Sequence, residues 1–242
     1  MKYFALALFG AFGTLCIVWT VVTLTRAEFL TALAVLALAV FCLGFVAMFI
    51  WGTAGKVTAR TAFDSAGTTL RPDRAADIFL RFIALAGTIA MGLFAIFAPI
   101  GKLDIPVPRE MRYYLPFIAA GGAVSGALIL WRAFNHGGMS YLRLSTRGFE
   151  FVDGLLSAHG EWEQVNDVTD RKPHGRTPNK GAIVVVMRDG QTPTFSSSSS
   201  YTEDNQALRR MVRFYWQHPE CRVELTDGRA LARLSSNSFK AD

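Results

Sequence analysis

The chain has 242 residues, of which 51% are hydrophobic and 18% are charged. That charged share is below the roughly 25% of a soluble domain, and the apolar content excludes a largely disordered chain. The net charge of +6 divides into +5 for residues 1–134 and +1 for residues 135–242. Because the basic residues belong to the apolar half, the pI of about 9.5 does not indicate a nucleic-acid-binding domain.

Four apolar runs predict a bundle of four transmembrane helices within residues 1–134, at about 3–24, 29–51, 78–100 and 113–134. About 20 apolar residues cross a hydrocarbon core of about 30 Å, and helices satisfy their own backbone hydrogen bonds there. The polar connection 25–28 predicts a tight hairpin between the first two helices. We expect the connection 52–77 to be a solvated loop or a contact to anionic lipid headgroups.

The distribution of Lys and Arg near the predicted span ends sets the orientation. Placing both termini in the cytoplasm puts nine basic residues inside: Lys2, Lys56, Arg60, Arg71, Arg74, Arg81, Arg132, Arg143 and Arg147. Four basic residues are then outside: Arg26, Lys102, Arg109 and Arg112. We therefore expect a multi-pass protein of the bacterial inner (plasma) membrane with cytoplasmic N- and C-termini.

Two features within the spans are candidates for contacts. Arg81 lies one turn inside the third span, where it either snorkels to the headgroups or binds one of them. Small residues in the fourth span permit close helix approach, either as a seam inside the bundle or as an interface with a partner. They are Gly121, Gly122, Ser125 and Gly126. No ionisable residue lies deep in a predicted span, which argues against an ion pump or a proton-coupled carrier.

Short alternating segments from residue 135 predict an α+β cytoplasmic domain over 135–235 with its own core, followed by a polar tail at 236–242. Strands are expected at 141–145, 149–152, 155–159, 161–168, 182–187 and 192–195, with a last strand or turn at 222–225. Asp-Gly pairs at 153–154 and 189–190 predict hairpin turns. Trp162 and Val165 are core candidates. One helix face is predicted from Leu208, Met211, Val212 and Tyr215, and the helix should end before Pro219.

The phrases LRLSTRGF at 142–149 and EWEQV at 161–165, followed by one amphipathic helix, resemble the bacterial pleckstrin-homology-like domains. The layout of four spans and such a domain is similar to small actinobacterial membrane proteins. It is also similar to four-span accessory proteins of the mammalian-cell-entry lipid importers. This resemblance implies a pleckstrin-homology-like fold and an accessory role in lipid import.

The sequence contains no recognisable catalytic, cofactor or metal motif. Its four His lack a second ligand at metal-binding spacing, and its three Cys are expected to be reduced. A basic loop is the candidate for binding phosphate-bearing headgroups, with a plain solvated loop as the alternative. Its candidate contacts are Arg171, Lys172, Arg176 and Lys180.

These observations together predict a non-enzymatic accessory or regulatory subunit of a larger inner-membrane complex, one that transports lipids or fatty acids. The expected partners are other integral membrane subunits and anionic lipid. No cofactor and no nucleic acid is expected. The alternatives are a stand-alone oligomeric transporter or channel, and a membrane-bound enzyme.

Overall fold

The computed structural model describes residues 2–54, 59–105, 109–171, 182–196, 201, 206–236 and 238–239. The chain divides into two compact units, which we call the helical unit and the sheet domain. The helical unit comprises Met1–Ala54 and Ile78–Asn135. The sheet domain comprises Gly55–Asp77 and His136–Asp242, so two separate stretches of the chain build it.

Four long helices, α1 (Lys2–Thr25), α2 (Phe29–Ala54), α3 (Arg74–Phe97) and α4 (Tyr114–Asn135), occupy the first part of the chain. Each is long and apolar enough to cross a membrane, which supports a multi-pass membrane protein. Large apolar side chains such as Leu8, Val18 and Ile118 are exposed on these helices, as expected of surfaces that meet lipid. Helix α3 begins four residues before the predicted apolar run, because its first turn is polar.

Glycines allow close contacts within the helical unit. A Cβ atom added at Gly13 of α1 would lie 2.8 Å from a carbon of Leu43 in α2. A Cβ atom added at Gly44 of α2 would lie 2.7 Å from a carbon of Ile83 in α3. Real Cβ atoms do not approach other carbons so closely, so a side chain at either position would force Leu43 or Ile83 to move. Helix α2 therefore packs closely against both neighbours there.

The connection between α2 and α3 contains a β-hairpin, which the sequence analysis did not predict. Strands β1 (Arg60–Asp64) and β2 (Gly67–Arg71) pair antiparallel, and β2 pairs with β3 (Ser140–Leu144). Leu70 of β2 is fully buried in the core of the sheet domain. The hairpin was missed because only Leu70 and Phe63 give its short strands an apolar signal, and the apolar strand partner lies about 70 residues further along the chain.

The sheet domain contains two antiparallel sheets. The first has the strand order β1-β2-β3-β4-β5, and the second has the order β6-β7-β8. The remaining strands are β4 (Gly148–Asp153), β5 (Leu156–Glu161), β6 (Val165–Thr169), β7 (Ile183–Met187) and β8 (Thr194–Phe195). Gly154 and Gly190 have φ of 63° and 85° at the two predicted Asp-Gly turns, so these turns are confirmed. The predicted layout of four helices followed by a sheet-containing domain is therefore confirmed.

Helix α5 (Ala207–Gln217) closes the core of the sheet domain. Its buried face consists of Ala207, Leu208, Met211, Val212 and Tyr215, which confirms the predicted helical spacing. The helix ends before Pro219, as predicted. Residues 197–200 and 202–205, which precede the helix in the chain, lie outside the described residues.

Two segments near the C-terminus differ from expectation. Of the strand or turn expected at 222–225, a turn forms at residues 222–223, after a 3₁₀ helix (Pro219–Cys221). It leads into helix α6 (Glu224–Asp227), which is followed by α7 (Arg229–Ser235). A strand does not form because Glu224 is buried in the first turn of α6, where it accepts hydrogen bonds from Tyr215 and Arg233. In the segment expected to be a polar tail, Phe239 is buried against Phe214.

Candidate functional site

A cleft lies at the end of the helical unit that carries the α1–α2 turn and the α3–α4 connection. Its volume is about 1280 Å³. Apolar walls come from Leu30 of α2, Phe94 of α3 and Phe117 of α4. Its polar lining consists of Glu28, Thr31, Lys102, Asp104, Arg112 and Tyr113. Concave sites with apolar walls and a few polar groups are the usual form of small-molecule sites.

The turn between α1 and α2 brings Glu28 to this cleft. Ala27 has a φ of 58°, a left-handed conformation that is uncommon outside glycine. The amide of Glu28 donates to the carbonyl of Thr23 at 3.0 Å, and its carbonyl accepts from the amide of Ala32 at 3.0 Å. The chain thus reverses within three residues, and Glu28 lies directly before α2.

Asp104 attaches the α3–α4 connection to the first two helices by three contacts. Its amide donates to Thr31 Oγ1 at 3.2 Å, and its carbonyl accepts from Trp19 Nε1 at 3.3 Å. Its carboxylate pairs with Arg26 at 3.2 Å. That ion pair is exposed and adds little stability, so the two backbone contacts are the main restraint on this wall of the cleft.

The polar groups of the cleft combine an acceptor with two cations. Glu28 Oε2 is buried and has no hydrogen-bond partner among the described residues. A buried acceptor without a donor costs about 1–3 kcal/mol, which a ligand donor would offset. Lys102 and Arg112 line the same cleft with exposed side chains. The arrangement fits an amphiphile whose polar end carries an anionic group and a hydrogen-bond donor.

A second cavity of about 650 Å³ lies on the five-stranded sheet. Its basic residues are already paired in part, because Arg143 donates to both carboxylate oxygens of Asp64 at 3.0 and 2.8 Å. Glu150, which also lines it, accepts a hydrogen bond from Tyr141 at 2.5 Å. Burial, together with that bond, raises the pKa of Tyr141 to about 12. We favour the cleft of the helical unit as the site. Glu28 Oε2 has no hydrogen-bond partner there among the described residues, whereas Arg143 of the second cavity is already paired with Asp64.

The structure separates the four small residues of α4 into two pairs. A side chain at Gly122 would collide with the sulfur of Met91, and one at Gly126 would collide with the hydroxyl of Thr88. Both contacts are with α3. A Cβ atom at Gly121 would meet nothing within 4 Å, and Ser125 is exposed. The Gly122 and Gly126 pair therefore packs inside the helical unit, whereas Gly121 and Ser125 face outward.

The predicted headgroup contacts lie apart in the chain. The Arg81 guanidinium lies 5.8 Å from the ring centroid of Phe134, a cation–π contact between α3 and α4. Arg171 has an exposed side chain in a bend that follows β6. Lys172, Arg176 and Lys180 lie outside the described residues.

The sequence analysis did not select any residue of the cleft as a site. Lys102 and Arg112 were counted only among the basic residues that indicate the orientation of the spans. Glu28 could have been singled out as an acidic residue next to two apolar runs, but the cleft that it lines also needs residues of α3 and α4. Within the described ranges, no group of three or more His, Cys, Asp or Glu is placed to hold a metal ion.

Comparison of the chain with models of known families, with curated proteins and with solved structures finds no match in any of the three. The likeness to pleckstrin-homology-like domains and to lipid-importer accessory proteins therefore stays a prediction. A fold does not determine a function, so the function is inferred from the site alone.

Proposed function

We propose that this chain is a non-enzymatic accessory or regulatory subunit of a larger bacterial inner-membrane complex that transports lipids or fatty acids. In this proposal the cleft of the helical unit binds one amphiphilic molecule. The sheet domain is a pleckstrin-homology-like module that contacts a partner subunit or anionic lipid. Both termini are cytoplasmic, so the cleft opens on the outer side of the membrane.

The observation that carries the proposal is the composition of the cleft. Its walls are apolar, and its polar groups include the unpartnered oxygen of Glu28 and the cations Lys102 and Arg112. An acyl chain would contact the apolar walls, and an anionic headgroup would meet the two cations. Charge-assisted hydrogen bonds of this kind are about twice as strong as neutral ones.

A photoactivatable lysophosphatidylethanolamine tests the ligand, because its phosphate is anionic and its ammonium group supplies the hydrogen-bond donor. We expect it to crosslink the full chain, reconstituted in phospholipid vesicles, in the segments around Glu28 and Phe117. Ala120→Trp fills the cleft and should reduce the crosslink several-fold. Ala127→Trp, at an exposed position of α4 outside the cleft lining, is the matched control and should retain it. Equal labelling in the two variants and along all lipid-facing surfaces would mean that the cleft meets bulk lipid only.

Purification in a mild detergent tests the accessory role. A partner chain of fixed stoichiometry is the expected result, identified by mass spectrometry of the co-purified material. A symmetric homo-oligomer without a partner would contradict the accessory role and would favour a stand-alone transporter or channel.

A further inference from the structure

The tip of the β4–β5 hairpin carries two adjacent leucines. Gly154 makes the turn, and Leu155 and Leu156 are 42% and 63% exposed. Turn positions between strands usually hold Gly, Asn, Asp or Ser. A single exposed leucine needs no explanation, but two in succession at a hairpin tip form an apolar projection.

Hydrogen bonds connect this tip to the first turn of α3. The amide of Gly154 donates to the carbonyl of Met139 at 3.2 Å. The amide of Met139 donates to Asp77 Oδ1 at 2.7 Å, and Asp77 is buried. Asp77 belongs to the first turn of α3, within the candidate span Arg74–Phe97. Two hydrogen bonds therefore link the hairpin turn to the end of a candidate membrane span.

The second stretch of the sheet domain follows α4 after a short connection. That helix has 22 residues and ends at Asn135, so it is about 33 Å long and reaches from one headgroup layer to the other. Met139 follows Asn135 by four residues, which span at most about 14 Å. The residue that the hairpin turn contacts is therefore four residues from the end of α4 along the chain.

Charge at the same span ends favours an anionic lipid surface. Arg74 lies in the first turn of α3, Arg81 follows two turns later, and Arg132 lies in the last turn of α4. Basic residues next to membrane spans attract anionic headgroups. Apolar side chains at the boundary of headgroups and acyl chains gain by leaving water.

We propose that the tip formed by residues 154–156 inserts Leu155 and Leu156 into the headgroup–acyl boundary of the membrane that α1–α4 cross. The occupant of this apolar surface is bilayer lipid. The insertion gives the sheet domain a second attachment to the membrane, independent of the ligand that the cleft binds.

Spin-label accessibility tests the insertion in the full chain, reconstituted in vesicles of phosphatidylcholine and phosphatidylglycerol. Leu156→Cys carries the label in a Cys221→Ser background, since Cys16 and Cys42 are buried. Val223→Cys is the matched control, because Val223 is an apolar residue of the same domain with a similar exposure of 58%. Leu155→Cys repeats the measurement at the neighbouring position.

The label at residue 156 should collide with oxygen, which concentrates in lipid, several-fold more than with a water-soluble nickel complex. The label at residue 223 should show the opposite preference. Equal ratios at the two positions would overturn the insertion. A label at residue 156 that is shielded from both reagents would also overturn it, and would assign the tip to a protein partner.

Discussion

Trp162 is among the largest fully buried side chains of the sheet domain. It lies in the turn between β5 and β6 and is 1% exposed. Its Nε1 donates to the carbonyl of Ser145 at 2.9 Å, its ring lies 6.0 Å from that of Phe149, and Arg222 lies 5.4 Å from the ring centroid. Trp162 therefore contacts both the first sheet, through Phe149, and the segment that follows α5, through Arg222.

Trp162→Ala should lower the free energy of unfolding of the sheet domain by about 3–5 kcal/mol, because it leaves a large cavity and an unpaired carbonyl. Trp162→Phe retains most of the ring and should cost less. Chemical denaturation followed by far-ultraviolet circular dichroism measures both. A silent Trp162→Ala variant would place the ring outside the core.

The glycines of α4 give a second prediction for single residues, with a control on the same helix. Thr88 Oγ1 donates to the carbonyl of Ala84 at 2.7 Å, so Thr88 cannot easily move away from a side chain at residue 126. Gly126→Leu should therefore destabilise the helical unit in detergent and lower its melting temperature. Gly121→Leu should leave the melting temperature unchanged, because residue 121 faces open space.

The same pair of variants separates internal packing from partner docking. If a partner subunit docks on the outward face of α4, Gly121→Leu should lose it on purification while the protein stays folded. Equal melting temperatures for Gly126→Leu and the unsubstituted chain would contradict the packing against α3.

At the element scale, the hairpin of β1 and β2 makes the sheet domain discontinuous in sequence. Residues 136–235 were expected to bury a core alone, but that fragment lacks Leu70 and exposes the edge of β3 that pairs with β2. The hydroxyl of Thr68 in β2 also donates to the carbonyl of Leu225 at 2.6 Å. Unpaired strand edges promote aggregation, so the fragment alone should aggregate.

A fusion of the two stretches should restore a soluble domain. Arg71 donates to the carbonyls of His136 and Gly137 at 3.0 and 2.9 Å, so the end of β2 lies close to the start of the second stretch. Residues 59–73, a short Gly-Ser linker and residues 136–242 should therefore melt cooperatively, as followed by circular dichroism. Cooperative melting of residues 136–242 alone, at the same temperature, would show that the hairpin is dispensable.

Elements that local sequence patterns predict differ from those that they miss in the sequence separation of the contacts that form them. The four helices, the two Asp-Gly turns and the buried face of α5 depend on periodicity within one segment, and the sequence predicts them. The β1–β2 hairpin, the burial of Glu224 and the cleft around Glu28 depend on contacts between distant segments. Their residues look like ordinary loop or surface residues until the partner segment is known.

At the scale of the whole molecule, the orientation decides which compartment the cleft faces. The folded hairpin places Arg60 and Arg71 in the sheet domain, together with Arg143 and Arg147. Lys56 and Arg74 also lie within its bounds, so six of the nine residues counted on the inner side belong to this domain and not to short loops. Folded domains translocate largely regardless of charge, so labelling from each side of the membrane tests the orientation independently of the charge count.

Cysteine labelling in intact cells supplies that measurement, in a Cys221→Ser background. Lys102→Cys, at the exposed rim of the cleft, should react with a membrane-impermeant maleimide added to whole cells. Arg147→Cys, at the exposed β3–β4 turn of the sheet domain, should react only after lysis. Residue 102 precedes α4 in the chain and residue 147 follows it, so one candidate membrane span separates the two positions. A reversed result would place the cleft in the cytoplasm, where an amphiphile would have to arrive from the inner leaflet.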